Sequence, residues 1–274
     1  MIKQNLLQFL VNKLRLIFPR GWSIVLKLIT KLIPSLKTYK SYLLNSDYLY
    51  IDLSSNMCQG YFFYGGHPHE NGTDRFFLKY IKPGFCVMDI GANVGYYTRL
   101  ASKLVGSGSV ISFEPLPKAY KLLKKNSYDL KNTEVFNCAL SSDEGNGSFF
   151  IRDSGDTSSL LRINDNEKLQ EIKVSIKTAD SFIDNINKVD FVKIDVEGFE
   201  MEVLQGMTTI ISKYRPIIIF EYLTGFGEIR GLFHSHYVDF FNKYDYSLHY
   251  VNNTGASIFT EEVSPMIAAM PFEK

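Results

Sequence analysis

The chain is poor in the residues that would let covalent or metal cross-links hold it together. Three cysteines among 274 residues, Cys58, Cys86 and Cys138, form an odd set without CxxC spacing, which argues against a disulfide framework and a cysteine-built zinc cluster. A reducing, cytoplasmic compartment fits that usage, and Cys86 and Cys138 lie in apolar runs where a thiol packs as a small hydrophobe. Net charge is nearly absent: 30 Lys and Arg against 29 Asp and Glu leave +1, so no overall field steers the chain to nucleic acid and none is expected as a partner. No charge-free apolar run reaches the ~18 residues of a membrane span. The short run Leu6 to Val11 is followed by Lys13 and Arg15 and not by a small-residue cleavage site, so a secretory signal is not expected either. Hydrophobic residues at 45% and charged residues at 22% exclude wholesale disorder and collagen-like repeats.

Acidic residues are missing from one place in particular. Residues 1–45 hold eight Lys and Arg and no Asp or Glu, so the basic charge gathers at one end. Within that stretch Leu6, Leu7, Leu10, Val11, Leu14, Ile17 and Phe18 recur at spacings of three and four, the period of a helix with one apolar face. After Pro19 and Gly21 a second such pattern runs from Trp22 to Ile33, carries Lys27 and Lys31 one turn apart, and stops before Pro34. The length suits one domain with an appendage. The expectation is therefore a basic amphipathic extension over 1–45 and one domain over 46–274. Two roles fit the extension: a helical pair covering the domain or a partner subunit, or a peripheral contact on an anionic membrane surface.

Beyond a Tyr-rich stretch from Ser46 to Gly66, read as strands or a hairpin, the periodicity alternates between two and 3.6. Strands are predicted at Phe85–Ile90, Ser109–Phe113, Glu134–Cys138, Phe191–Asp195 and Ile217–Phe220. Helices are predicted at Tyr96–Val105, Lys118–Leu130, Thr178–Asn187 and Glu200–Ile211. Strand and helix in alternation with short links require parallel pairing through right-handed crossovers, hence an α/β sheet. Residues 139–178 break the rhythm and read as an inserted hairpin. Two late apolar runs, Ser247–Val251 and Met266–Met270, could close the sheet as an antiparallel pair.

In such a sheet ligands sit beyond the carboxyl ends of the strands. The first predicted strand ends in Asp89-Ile-Gly-Ala-Asn-Val-Gly95, where Gly91 and Gly95 allow a sharp turn and Asn93 tolerates left-handed backbone. The second ends in Phe113-Glu114-Pro115, with Glu114 near the spacing of an acid that binds ribose hydroxyls. Both features also describe nicotinamide-dependent oxidoreductases. However, the loop lacks the G-x-G-x-x-G pattern of a pyrophosphate site, and a carboxylate beside the ligand would repel phosphate while attracting a sulfonium or amino group.

These motifs resemble the FkbM-like methyltransferases, a branch of the class I S-adenosylmethionine-dependent enzymes. The resemblance covers roughly residues 70–222 and rests on Asp89 to Thr98, Phe113-Glu114-Pro115, Asn137-Cys-Ala-Leu-Ser141, Lys193-Ile-Asp-Val-Glu-Gly-Phe-Glu200 and Phe220-Glu221. It implies a Rossmann-like fold, a mostly parallel seven-stranded sheet with helices on both faces, and methyl transfer to a hydroxyl of a sugar, glycan or related metabolite. S-Adenosylmethionine is the implied cofactor. Asp89, Gly91, Asn93 and Gly95 would line its methionine end, Glu114 its ribose, and Asn137 to Ala139 its adenine edge. Tyr96 or Tyr97 could face the sulfonium. Asp195 is the candidate base or substrate orienter, with Glu197 and Glu221 as further catalytic candidates, because a carboxylate within reach can take a hydroxyl proton as the new bond forms. His67, His69 and His236 are alternative bases. The pairs His67/His69, beside Glu70, and His234/His236 fix no third ligand by spacing, so no metal is expected. A catalytically silent binding module that uses the basic end is the reading from outside enzymology.

Overall fold

In this computed structural model the described residues are 6–18, 20–45, 47–66, 71–152, 158–159, 169–222, 224–252, 257–258 and 266–272. The apolar runs of period two become strands and the amphipathic runs become helices. In chain order the amino-terminal part comprises α1 (Leu6–Ile17), α2 (Trp22–Leu32), β1 (Thr38–Tyr42), β2 (Tyr48–Asp52), α3 (Asn56–Tyr64) and α4 (Asn71–Tyr80). The alternating part follows with β3 (Cys86–Ile90), α5 (Tyr96–Val105), β4 (Ser109–Phe113), α6 (Pro117–Asn126) and β5 (Thr133–Phe136). The insertion holds β6 (Ala139–Leu140), β7 (Gly145–Arg152), β8 (Ser158–Ser159) and β9 (Leu169–Lys177). Then come β10 (Phe191–Ile194), α7 (Glu200–Gln205), α8 (Thr208–Tyr214), β11 (Ile217–Glu221), α9 (Thr224–Arg230), α10 (His234–Asn242), β12 (Tyr246–Val251), β13 (Ser257–Ile258) and β14 (Met266–Pro271).

The main sheet has the order β13-β12-β14-β11-β10-β3-β4-β5. Strands β11, β10, β3, β4 and β5 pair in parallel, whereas β14 runs antiparallel to both β11 and β12. The fold is thus the Rossmann-like α/β class, with a two-residue edge strand, β13, added to the seven expected. Both faces of the sheet are buried, and alternate residues of each strand serve opposite cores. Val87, Val110, Phe191 and Ile219 pack with the layer that includes α5 and α4, while Met88, Ile90, Val192 and Phe220 pack with α7, α8 and α10. The chain leaves β3 toward β4 and β5 and returns on the other side through β10 and β11, which makes the β10/β3 boundary the switch point at which a crevice opens.

Several local expectations change. The predicted helix Glu200–Ile211 is two helices, since a Cβ on Gly206 would stand 2.0 Å from the Ser141 carbonyl oxygen, so the insertion's backbone crowds the chain there. The predicted helix at Thr178–Asn187 is a 3₁₀ segment, Asp180–Asn185. Among the described residues of Ser46–Gly66 only β2 is a strand; its partner β1 lies upstream, and Asn56–Tyr64 forms α3, entered through Ser55, whose side chain accepts from the Cys58 amide at 3.4 Å. Among the described residues of the insertion, β7 and β9 pair antiparallel in the register Gly145↔Ile176, within a sheet of order β6-β9-β7-β8.

The β1–β2 hairpin is clamped to the sheet layer by charge. Arg99 of α5, almost wholly buried, reaches Asp47 at 2.8 Å and Asp129 at 2.7 Å. Burial pushes the Asp47 carboxyl up, but the Arg99 guanidinium, the Tyr48 amide and the Lys103 ammonium together outweigh this and leave it below the usual carboxylate range. Asn126 completes the clamp: its amide donates to Tyr50 O and Val94 O, and it accepts from the Tyr50 amide. The turn after β3 is therefore held from outside by α6 and the hairpin together.

Candidate active site

At the carboxyl ends of β10, β3 and β4 lies a cavity of about 640 Å³, within the usual range of small-molecule sites. The sheet tips form its floor, α3 one wall, and the insertion, through Phe149, Gln170 and Ile172, another. All three cysteines are free thiols, and Cys58 and Cys138 belong to this wall.

The turn after β3 is folded back on β4, because the amides of Gly91 and Ala92 both donate to the Phe113 carbonyl at 3.0 Å. Gly91 has φ +81°, and a Cβ there would lie 1.9 Å from the Asp195 carbonyl oxygen, so the tips of β3 and β10 touch through backbone alone. Asn93 takes φ +50°, as its side-chain type allows. Its amide donates to Glu114 Oε2 at 2.8 Å, and the Leu116 amide donates to Glu114 Oε1 at 2.9 Å. Glu114 is thus a cavity-wall carboxylate gripped by two amides. Burial pushes its carboxyl up to about 7, against the lowering pull of those amides, with the negative charges of Asp89 and Asp195 adding to the rise.

On the other side of β3, Asp195 follows β10 and lines the cavity together with Glu197 and Glu221. Asp195 Oδ2 accepts from the Lys193 ammonium at 2.8 Å, and that ammonium sits 4.9 Å from the centroid of the Tyr97 ring. Lys193 and Asp195 share one side of the chain because they are two residues apart in an extended segment. Glu197 has φ +56° within the turn 195–199. That turn is pinned by Glu200, whose Oε1 accepts from the amides of Val196 and Gly198 at 3.1 and 3.2 Å. It is pinned again by Arg230 of α9, which bonds Gly198 O and the Glu202 carboxylate and covers the Phe199 ring at 4.1 Å.

Gly91, Asn93, Glu114, Ala139, Asp195, Glu197 and Glu221 are therefore gathered around one cavity. Three expected members are not. Asp89 is completely buried behind the wall, where Thr98 of α5 donates to its Oδ2 at 2.6 Å and Ser112 of β4 lies 3.0 Å from the same hydroxyl. Its carboxylate ties the end of β3 to α5 and does not line the cavity. Asn137 is exposed and uses its amide to clamp Glu114 O and Pro115 O at 2.8 and 3.0 Å. Gly95 caps α5 and faces Leu123 of α6. Tyr96 and Tyr97 do line the cavity; Tyr96 donates to Asp74 at 2.7 Å and stacks on Tyr61. His236 and His234 sit at the start of α10, away from the cavity wall, with His236 bonded to the Phe233 amide. His67, His69 and Glu70 lie outside the described residues.

Residues 89–248, more than half of the chain, match the Methyltransferase FkbM domain. This chain belongs to the FkbM methyltransferase family. Among curated relatives it is 30% identical over 156 residues to the hexuronic acid methyltransferase AglP of Haloferax volcanii, covering 55% of this chain and 61% of that one. It is 23% identical over 145 residues to Methyltransferase 1 of Beauveria bassiana, covering 44% and 57%. The chain thus spans about three fifths of the length of these relatives. A crystal structure of Methyltransferase FkbM from Methylobacillus flagellatus KT aligns with TM-score 0.45 and 14% identity over 68% of this chain and 43% of that one.

Within this FkbM chain the motif Lys193 to Glu200 holds two residues whose importance only the structure reveals. Lys193 is 2% exposed yet charged, which requires the Asp195 partner it has. The available signal was a lysine in an otherwise apolar strand. Glu200 is 3% exposed, and burial pushes its carboxyl up to about 7, against the lowering effect of the amides it binds. The folded state therefore keeps a proton there that the unfolded chain releases near the ordinary 4.5. Stability falls as pH rises through that window, and the loss is complete above about 7. Glu200→Gln removes the penalty while keeping an acceptor for Val196 and Gly198. The variant is expected to exceed the parent in stability by ~1–3 kcal/mol at high pH, the advantage shrinking toward acid, as read from urea unfolding across pH. A pH-independent difference would refute the assignment.

Proposed function

We propose that this chain transfers a methyl group from S-adenosylmethionine to a hydroxyl oxygen, with a sugar or glycan as the acceptor class. The observation that carries the reading is Glu114: a cavity-wall carboxylate held by two amides, at the strand tip next to the Gly91 turn, with Asp195 at the tip on the turn's other side. The residues present suit the donor. Glu114 keeps lone pairs for the ribose hydroxyls, and the adjoining Leu116 and Ala139 would meet the adenine. The Gly91–Val94 turn and the Asp195 side would hold the methionine end, and the carboxylates of Asp195, Glu197 and Glu221 favour a cation there.

When bound, S-adenosylmethionine supplies a methyl carbon on a cationic sulfur, so that the carbon–oxygen bond forms as the carbon–sulfur bond breaks with its electron pair left on sulfur. The chain's own share is positioning and a proton. Asp195 would take the hydroxyl proton on Oδ1, since Lys193 occupies Oδ2 and fixes the carboxylate's orientation. The walls from α3 and the insertion would orient the acceptor. The name of the 30% identical relative, a hexuronic acid methyltransferase, supports a sugar as acceptor.

Calorimetric titration tests the donor. S-Adenosylmethionine and its demethylated product are expected to bind and NAD is not; the reverse would return the chain to the oxidoreductases. Glu114→Ala is expected to weaken donor binding by about 1 kcal/mol or more, the scale of a lost hydrogen bond. Incubation with methyl-labelled donor and carbohydrate extracts containing hexuronic acids then tests the acceptor. Label on protein or nucleic acid in place of sugar would overturn that part.

A further inference from the structure

The amino-terminal helices are seated the wrong way round for helices that only cover a domain. Helix α1 docks through a polar residue: Gln8, fully buried, donates to Tyr42 O and Phe62 O at 3.0 Å and accepts from the Tyr42 amide at 3.0 Å, with Val11 beside it. Apart from Leu7, which packs against the core, its leucines point away. Leu6, Leu10, Leu14 and Ile17, spaced four, four and three, are 73%, 47%, 43% and 68% exposed. Helix α2 repeats the arrangement, burying Leu26 and Thr30 while Ile24, Leu28 and Leu32 are 65%, 53% and 82% exposed. Among the described residues, 13 of the 19 exposed large hydrophobic side chains fall between Leu6 and Leu44. Scattered single apolar residues need no explanation, but one so concentrated does.

We propose that this face docks on an anionic lipid bilayer. Charge selects the occupant: residues 1–45 carry eight Lys and Arg and no acid, and Lys13, Arg20, Lys31 and Lys37 are exposed among the apolar side chains. A second copy meeting this face about a two-fold axis would set cation against cation. A membrane surface of negative headgroups meets both features: apolar side chains enter the acyl boundary and the long basic ones reach the phosphates. No helix among the described residues is long and apolar enough to cross a membrane, so the contact is with one surface. Helix α3 links the face to the cavity: its Phe62 carbonyl receives Gln8, while Met57, Cys58 and Tyr61 line the cavity. Docking therefore brings the cavity close to the lipid surface, whatever reaction it performs.

The test uses the full chain with vesicles of phosphatidylcholine alone and of phosphatidylcholine mixed with phosphatidylglycerol. Co-sedimentation is expected with the mixed vesicles, weakening as salt rises. The double variant Leu10→Glu/Leu28→Glu, at exposed positions, is expected to bind at least ~tenfold more weakly, since it removes inserted apolar groups and adds repelled charge. Unchanged thermal unfolding would show that the variant is folded. Equal binding to neutral vesicles, no binding to the anionic ones, or undiminished binding by the variant would each overturn the proposal. So would a dimer in ultracentrifugation that the same variant converts to a monomer, which would assign the face to a second copy.

Discussion

A Gly91→Ala chain is expected to lose donor binding below detection and to be less stable than the parent by ~2–4 kcal/mol. The residue holds φ +81°, where an alanine costs ~1 kcal/mol or more, and its Cβ would stand 1.9 Å from the Asp195 carbonyl oxygen. Backbone cannot yield as a side-chain tip can. The tips of β3 and β10 would have to separate, an overpacking strain of ~1–3 kcal/mol, and the separation moves Asp195 and the Asn93 amide that holds Glu114. Urea unfolding and calorimetric titration measure the two effects. Gly145, with no atom within 4 Å of an added Cβ, serves as the control: its alanine variant is expected to stay near the parent. Parent-like behaviour of Gly91→Ala would mean that the two tips do not meet as described.

Asp195→Asn is expected to cut turnover by ~10² to 10⁴, the range for removing a positioned base, and to weaken donor binding far less, since Glu197 and Glu221 keep their charge at the cavity. Asparagine keeps the shape and an acceptor for Lys193 but leaves that buried ammonium without its counter-charge, so urea unfolding is measured beside turnover to separate the lost proton acceptor from lost stability. The contrast with Glu114→Ala, which acts on donor affinity first, separates the two carboxylates by role. Glu197→Gln and Glu221→Gln complete the set. If Glu221→Gln loses turnover on that scale and Asp195→Asn does not, the proton goes to the tip of β11 and Asp195 is left with holding Lys193. Rapid-quench single turnover with labelled donor distinguishes a slowed transfer from slowed product release.

The alternation of strand and helix was readable because each element is short, amphipathic or doubly buried, and bounded by its own Gly, Pro or Asn, which are local signals. The same locality made Glu114 and Asp195 legible, since a carboxylate at the carboxyl end of a parallel strand reaches the crevice wherever the sheet has its switch point. What failed were judgements of direction. Asp89 ends its strand as Glu114 ends its own, yet the Thr98 hydroxyl, brought by α5 and itself bonded to Ser112 of β4, draws its carboxylate inward. The hydrophobic stripe of α1 was visible, but Gln8 found three backbone partners on β1 and α3, so the stripe divides and most of it points outward.

From its residues alone this protein had a determined alternation of strand and helix from β3 to β5, a parallel sheet and the turn at which a ligand would sit, because periodicity and turn chemistry act over a few neighbours. Tertiary structure alone decided which carboxylates face the cavity, that Lys193 is buried against Asp195, and that Leu6, Leu10, Leu14, Leu28 and Leu32 are left uncovered. Each of those outcomes depends on partners from distant parts of the chain, and a buried charge or amide turns toward whichever partner satisfies it.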